Sequence, residues 1–174
     1  MMRRPAMLGD RSGSAAAEMA LVLPLLLTIM IGSVELGHFM YNEHLLAKAV
    51  RDGARYAARQ GFANYDCSGE PSITVRDNTR ELVQTMLLSG GSDRMVNWAA
   101  ASIDVTEDCY ATATGLSNTA QNMSGIYDEL SLGGAPVVTV SASVPYVPVI
   151  GAPFGFSGVG INLNASQEAA VTGI

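Results

Sequence analysis

Gly13-Ser14-Ala15-Ala16-Ala17-Glu18-Met19 leads into Ala20-Leu21-Val22-Leu23-Pro24-Leu25-Leu26-Leu27-Thr28-Ile29-Met30-Ile31-Gly32-Ser33-Val34, an apolar run with one carboxylate near its start. As a helix, Ser14 to Val34 would be about 31 Å long, which matches a bilayer's hydrocarbon core. Arg3, Arg4 and Arg11 precede it. Positive charge beside a span stays inside, so residues 1–13 read as a cytoplasmic leader and the remainder as exported. Three readings compete for the run: a cleaved secretory signal, a permanent signal anchor, and a leader cut before the apolar run so that the run stays attached. No small-x-small site follows the apolar core, and Glu18 interrupts it, which disfavours the first.

Glu18 favours the third reading. A carboxylate inside a membrane helix costs a few kcal/mol unless it finds a partner. If the bond after Gly13 is cut, Ser14 becomes the first residue and Glu18 the fifth. The new α-amino group of a neighbouring subunit is then a cation at the right depth. The alternative is a Glu18 that lies near the headgroups and stays hydrated. Pro24, inside the span, removes a helix hydrogen bond and predicts a bend near residues 20–24, or local melting among packed subunits.

Gly13-Ser-Ala-Ala-Ala-Glu18-Met19, Ala20-Leu-Val-Leu-Pro24-Leu, Val34-Glu35-Leu36-Gly37 and Ala49-Val-Arg51-Asp-Gly53-Ala-Arg55-Tyr56-Ala57 together resemble the TadE-like family, the pilin-like proteins of the tight-adherence (Flp-type, type IVb) pilus system. The resemblance covers about Gly13 to Gly61. Met19 departs from it, since the family often has an aromatic after the glutamate. The resemblance implies processing by a prepilin peptidase, residence in the bacterial inner membrane with the head periplasmic, and a minor role in pilus assembly. Its implied partners are other pilin-like subunits, the peptidase and an inner-membrane assembly platform, besides the membrane lipid.

The expected fold is α+β and pilin-like: a long N-terminal transmembrane and stem helix packed on a small antiparallel sheet, with one further helix. The leader is residues 1–13, the transmembrane and stem helix 14–60, and the head 61–174. Glu35 to Gln60 has no proline and is rich in helix formers. Lys48, Arg51, Asp52, Arg55 and Arg59 share one face, and Leu46, Val50, Gly53 and Ala57 another. From Gly61 onward the chain holds three basic and eleven acidic residues, within a whole-chain net charge of -6 over 174 residues. The basic stripe is either a plain solvated face or a surface that meets an acidic head, its own or a neighbour's. Gly61 predicts the helix stop.

Gly61 to Ser72 reads as a loop, and Ile73 to Ser89 as a helix with Leu82, Val83, Met86 and Leu87 on its apolar face, ended by Gly90-Gly91. Trp98 is expected in the core. Ser102 to Ala111, Val137 to Val147 and Ile161 to Thr172 alternate like half-buried strands. Thr112 to Ala135 reads as a long exposed loop, and a Pro/Gly-rich crossover separates the last two strands. Two cysteines in an exported region suggest one disulfide, Cys67 to Cys109; two buried thiols are the alternative.

Signals for catalysis are sparse. His38 and His44, six positions apart, do not share a helix face, and Glu35 with His38 makes a poor metal site. Gly155-Phe156-Ser157-Gly158-Val159 lacks the closing glycine of a nucleophile elbow, and no P-loop or dinucleotide fingerprint is present. Asp104, Glu107 and Asp108 cluster in sequence and suggest either a weak calcium site or a solvated acidic turn. The acidic balance speaks against nucleic acid. The sequence therefore predicts no enzyme and no cofactor. It predicts a minor pilin or pseudopilin; the rival reading is a signal-anchored periplasmic domain that binds a ligand or glycan.

Overall fold

The computed structural model describes residues 12–95, 98, 101–114, 120–122, 125–127, 134–150 and 160–173. The expected leader up to residue 11, most of the Pro/Gly-rich crossover with its Gly155–Val159 stretch, and parts of the 112–135 segment lie outside the described residues. The layout is α+β, as the alternation and helix spacing predict. Helix α1 is Ser12–Ala58 and helix α2 is Ile73–Thr85. The strands are β1 (Ser102–Tyr110), β2 (Thr112–Thr114), β3 (Ala120–Asn122), β4 (Ala135–Pro145) and β5 (Asn162–Ala170). An antiparallel sheet has the order β1-β4-β5, and β2 pairs with β3 in a separate two-stranded ladder.

At 47 residues, α1 would be about 70 Å long as an ideal helix. It stays helical through Pro24. The Thr28 hydroxyl, one turn on, donates 2.8 Å to the Pro24 carbonyl. Two halves of this one helix differ in what covers them. Every described side chain from Gly13 to Met30 is exposed, whereas Leu46, Ala49, Val50, Gly53, Ala54, Ala57 and Ala58 are buried. The buried set is small because two layers approach it closely. A Cβ at Gly53 would overlap the Val83 side chain of α2. This face rests on β4, β5 and α2.

Strand β4 is central, and its alternation sets the core: Val138, Val140, Ala142 and Val144 are buried, while Thr139, Ser141 and Ser143 point to the other face. Trp98, Val105, Leu163 and Val171 complete the same cluster. The register places Asp104 opposite Ser141, and Ser141 opposite Ser166; Thr139 faces Glu168. The chain leaves β5 toward the top of α1, where the Thr172 amide donates 2.8 Å to the Ala58 carbonyl.

Several expectations are corrected. Helix α2 ends at Met86, not at Gly90-Gly91. Met86 adopts a left-handed φ of 73°, and its amide caps the Leu82 carbonyl at 2.9 Å. Met86 and Leu87 are consequently exposed, and the buried face is Val75, Thr79, Val83 and Thr85. The helical pattern read from Leu82 to Leu87 fails because the chain turns off the helix axis midway. The stem ends at Ala58, just before the expected residue 60. Within 112–135, the β2–β3 ladder stands where a loop was expected; its short polar strands carry no hydrophobic alternation to announce them.

A disulfide joins Cys67 to Cys109, tying the loop after α1 to the end of β1. Beneath it lies Glu107, 1% exposed. One of its oxygens accepts from the Cys67 amide; the other is buried without a partner among the described residues. Burial pushes the Glu107 carboxyl upward, and the nearby Asp66 and Asp108 add to this, against the opposing hydrogen bond from Cys67. The fold thus favours the protonated form. That contribution is fully present below about pH 4, the ordinary carboxyl range, and is lost as pH rises through the raised value. Chemical denaturation of the full chain in detergent should show stability falling over that window, and Glu107→Gln should flatten the fall.

Candidate assembly surface and its junction with the head

The exposed half of α1 is the largest apolar surface among the described side chains. Leu21 is 80% exposed, and Met19, Leu25, Leu26, Ile29 and Met30 are all more than half exposed. Soluble proteins do not leave such surface in water. Among the described residues α1 is the one helix long and apolar enough to cross a membrane, and its most apolar window is not covered by the rest of the chain. Glu18 lies within this surface, and the Ser14 hydroxyl donates to it at a long 3.4 Å. Gly13 and Ser14 occupy the first described turn of α1, and both are exposed.

Where the bare half meets the packed half, a polar junction forms that the sequence reading did not assemble. Glu35 follows the apolar run by one residue. Its carboxylate accepts from the Tyr146 hydroxyl, from the Val149 amide at 3.2 Å and from the Ile150 amide at 2.9 Å. Those three groups lie in the segment leaving β4. His38, one turn up α1, places Nδ1 3.1 Å from the Tyr146 oxygen. Phe39 meets the Tyr146 ring edge-on at 5.2 Å. The Asn42 side chain donates 2.9 Å to the His38 carbonyl. Burial pushes the Tyr146 phenol up, and the Glu35 carboxylate that accepts its proton in a hydrogen bond adds to the shift. Tyr146 therefore stays a donor through the physiological range. The Tyr146–Val149 segment, His38, Asn42, Met95 and Leu163 line a cavity of about 140 Å³.

Glu35 was legible only as part of a motif. Its partners lie more than a hundred residues away in the chain, and nothing in local spacing connects them. His38 and His44 separate as their spacing predicts: His38 is half-buried in the junction, and His44 is exposed. The clustered Asp104, Glu107 and Asp108 do not converge. Asp104 and Asp108 are exposed on the outer face of β1, whereas Glu107 points into the core. Strand alternation, which sends neighbouring residues to opposite faces, overturns the calcium-site expectation. Among the described residues, the one group of three potential metal ligands is Cys67, Glu107 and Cys109, and its two sulfurs are joined to each other.

Along the stem, Lys48, Arg51, Arg55 and Arg59 are exposed, and Asp52 is half-buried. The ion pairs among the described residues are Arg76–Glu70 and Arg80–Asp77, both within the head. Among the described residues the stripe therefore forms no ion pair with the head's carboxylates.

These features define a class: a helix-on-sheet protein whose one long helix projects a bare, membrane-length apolar extension. The family model described as TadE-like protein matches residues 13–55. The N-terminal segment is thus TadE-like, as the motifs indicate, and the match stops short of the head. No curated protein and no solved structure matches the chain.

The junction has a direct test. Glu35→Ala removes the acceptor for two backbone amides. Amide hydrogen exchange at Val149 and Ile150 should accelerate by about tenfold or more, the cost of one charge-assisted hydrogen bond or greater. Glu35→Gln, which keeps one neutral acceptor, should fall between. Unchanged exchange in Glu35→Ala would remove the clamp.

Proposed function

We propose that the chain is a minor pilin or pseudopilin of a tight-adherence pilus, acting in assembly or priming through the apolar half of α1. The observation that carries this reading is the division of one continuous helix: a head packed on its upper half, and a bare membrane-length surface below with Glu18 inside it. The TadE-like match over that helix supports a pilus-associated role. In this reading a prepilin peptidase cuts between Gly13 and Ser14, and residues 1–13 remain cytoplasmic. The span resides in the inner membrane with the head periplasmic, before any entry into the pilus.

Glu18 then acts as an assembly residue. Its carboxylate receives the new Ser14 ammonium of a neighbouring pilin-like subunit, which offsets the cost of keeping either charge in lipid. Pro24 supplies a weak point where the helix bends or locally melts once subunits pack, since its ring removes one backbone hydrogen bond. The Cys67–Cys109 disulfide staples a head that has to hold together outside the cell. None of these roles requires the protein to catalyse a reaction or hold a cofactor; the cutting enzyme is a separate protein, and the assembly platform is a further partner.

Mass spectrometry of the membrane form should give an N-terminus at Ser14. An intact N-terminus would overturn the processing scheme and favour the signal-anchored binding domain; one after residue 34 would overturn it in favour of a cleaved secretory signal. Glu18→Ala should leave expression and cleavage intact while lowering piliation severely; normal piliation would remove its assembly role.

A further inference from the structure

The stem's basic stripe lies far from any lipid surface. At 1.5 Å per residue, Lys48 stands about 21 Å above Val34 and Arg59 about 38 Å. Screening acts over about 8 Å at physiological salt. With α1 upright in the bilayer, anionic headgroups do not reach these side chains.

The outer face of the sheet is the matching surface. Asp104, Asp108 and Glu168 are exposed there, and β1, β4 and β5 contain no Lys, Arg or His. Between the carboxylates runs the outer row of β4, with the small side chains of Thr139, Ser141 and Ser143. Ser102, Ser141, Ser143, Asn164 and Ser166 line a shallow groove beside Asp104. The molecule has two layers: the stripe belongs to the helix layer, beside Asp52, and Asp104, Asp108 and Glu168 lie on the sheet face turned away from the helices. At 100° per residue, Arg55 and Arg59 point away from the buried Val50–Gly53–Ala57 face, which packs on α2 and the sheet, and Arg51 flanks it. They cannot fold onto their own Asp104 or Asp108.

The heights agree as well. The stem and β4 are tied at both ends, by Tyr146 to Glu35 below and by Thr172 to Ala58, with Val171 to Pro136, above. Glu35 to Ala58 is about 34 Å of helix, and Tyr146 to Pro136 about 33 Å of strand, so the two run side by side. Measured up from Glu35 through the sheet register, Asp104 sits at about 16 Å, Glu168 at about 23 Å and Asp108 at about 30 Å. Arg51, Arg55 and Arg59 sit at about 24, 30 and 36 Å. One axial shift of about 7 Å brings all three pairs level.

We propose that the Arg51–Arg55–Arg59 stripe of one copy docks on the outer sheet face of a second copy of this chain, against Asp104, Glu168 and Asp108. The contact is heterologous, because it joins two different surfaces, and such contacts close into a ring or extend into a row rather than forming a two-fold dimer. A whole sheet separates the two helices it relates, so it joins copies whose spans do not touch. It therefore adds to the span-to-span contact through Glu18. Exposed pairs are individually weak, and their value here is orientation and the summed effect of repetition along a row. The inference rests on the pilin reading for the upright stem and for the presence of neighbours.

The test uses the full-length chain in native membranes, with photoreactive p-benzoylphenylalanine at Ser141. The expected product is an adduct between two copies, with the second copy's peptide mapping to residues 48–59. Arg51→Glu/Arg55→Glu/Arg59→Glu should lower its yield at least about tenfold. Adding Asp104→Lys/Asp108→Lys/Glu168→Lys in the same chain should restore it. An intact Cys67–Cys109 bond on a non-reducing gel reports folding, and single Arg55→Glu with a salt titration replaces any variant that lacks it. An adduct to lipid, to a different protein or to nothing, or reversal without restoration in folded chains, would overturn the proposal. If the same sample has its N-terminus at Ser14, that failure belongs to the contact and not to the pilin reading.

Discussion

The contact between the upper half of α1 and the sheet sets the form of everything else. Its residues are small, chiefly Ala49, Val50, Gly53, Ala54 and Ala57, so the helix lies close to β4, β5 and α2. Close approach packs the stem directly on the strands and on α2. Two ends secure it: Thr172 and Val171 at the top, and Glu35 with Tyr146 at the bottom. A helix that long would otherwise be free to move relative to the head along much of its length. Instead the described head begins at the residue where the apolar run stops.

That placement has an energetic logic. A carboxylate one residue beyond a membrane-length run would be costly if drawn into lipid. Glu35 instead accepts a phenol and two backbone amides, which satisfies it and fixes the Tyr146–Ile150 segment at the base of the head. The lower half of the helix has no such partners among the described residues, and its exposed leucines and isoleucines require a second apolar phase. In the proposed function a lipid bilayer would supply it before assembly, and neighbouring helices afterwards. The Glu18 carboxylate is the one charge on that surface, and it makes the surface selective about what it packs against.

The head is organised by its polar exceptions as much as by its core. Glu107 is buried beneath the Cys67–Cys109 bond with one oxygen unpartnered among the described residues, and it takes its neutral form more readily than an exposed glutamate. The outer sheet face has the opposite character, with small hydroxyl side chains and carboxylates over a flat ladder.

The sequence by itself determined the long helix, the alternation of the three main strands and the shared face of Leu46, Val50, Gly53 and Ala57, and it suggested the paired cysteines. Each is a local or periodic signal, carried by residues whose spacing matches the structure they form. The TadE-like motif was equally local, confined to α1. Only the tertiary structure decided that Glu35 clamps the segment after β4, that Asp104 and Glu107 part to opposite faces, and that Met86 ends α2. It also decided that Asp104, Asp108 and Glu168 lie on the sheet face turned away from the helices. Those facts depend on strand register and layer packing between residues far apart in the chain. A single sequence carries no direct mark of such pairings, because the free energy that selects them is spread over the whole core.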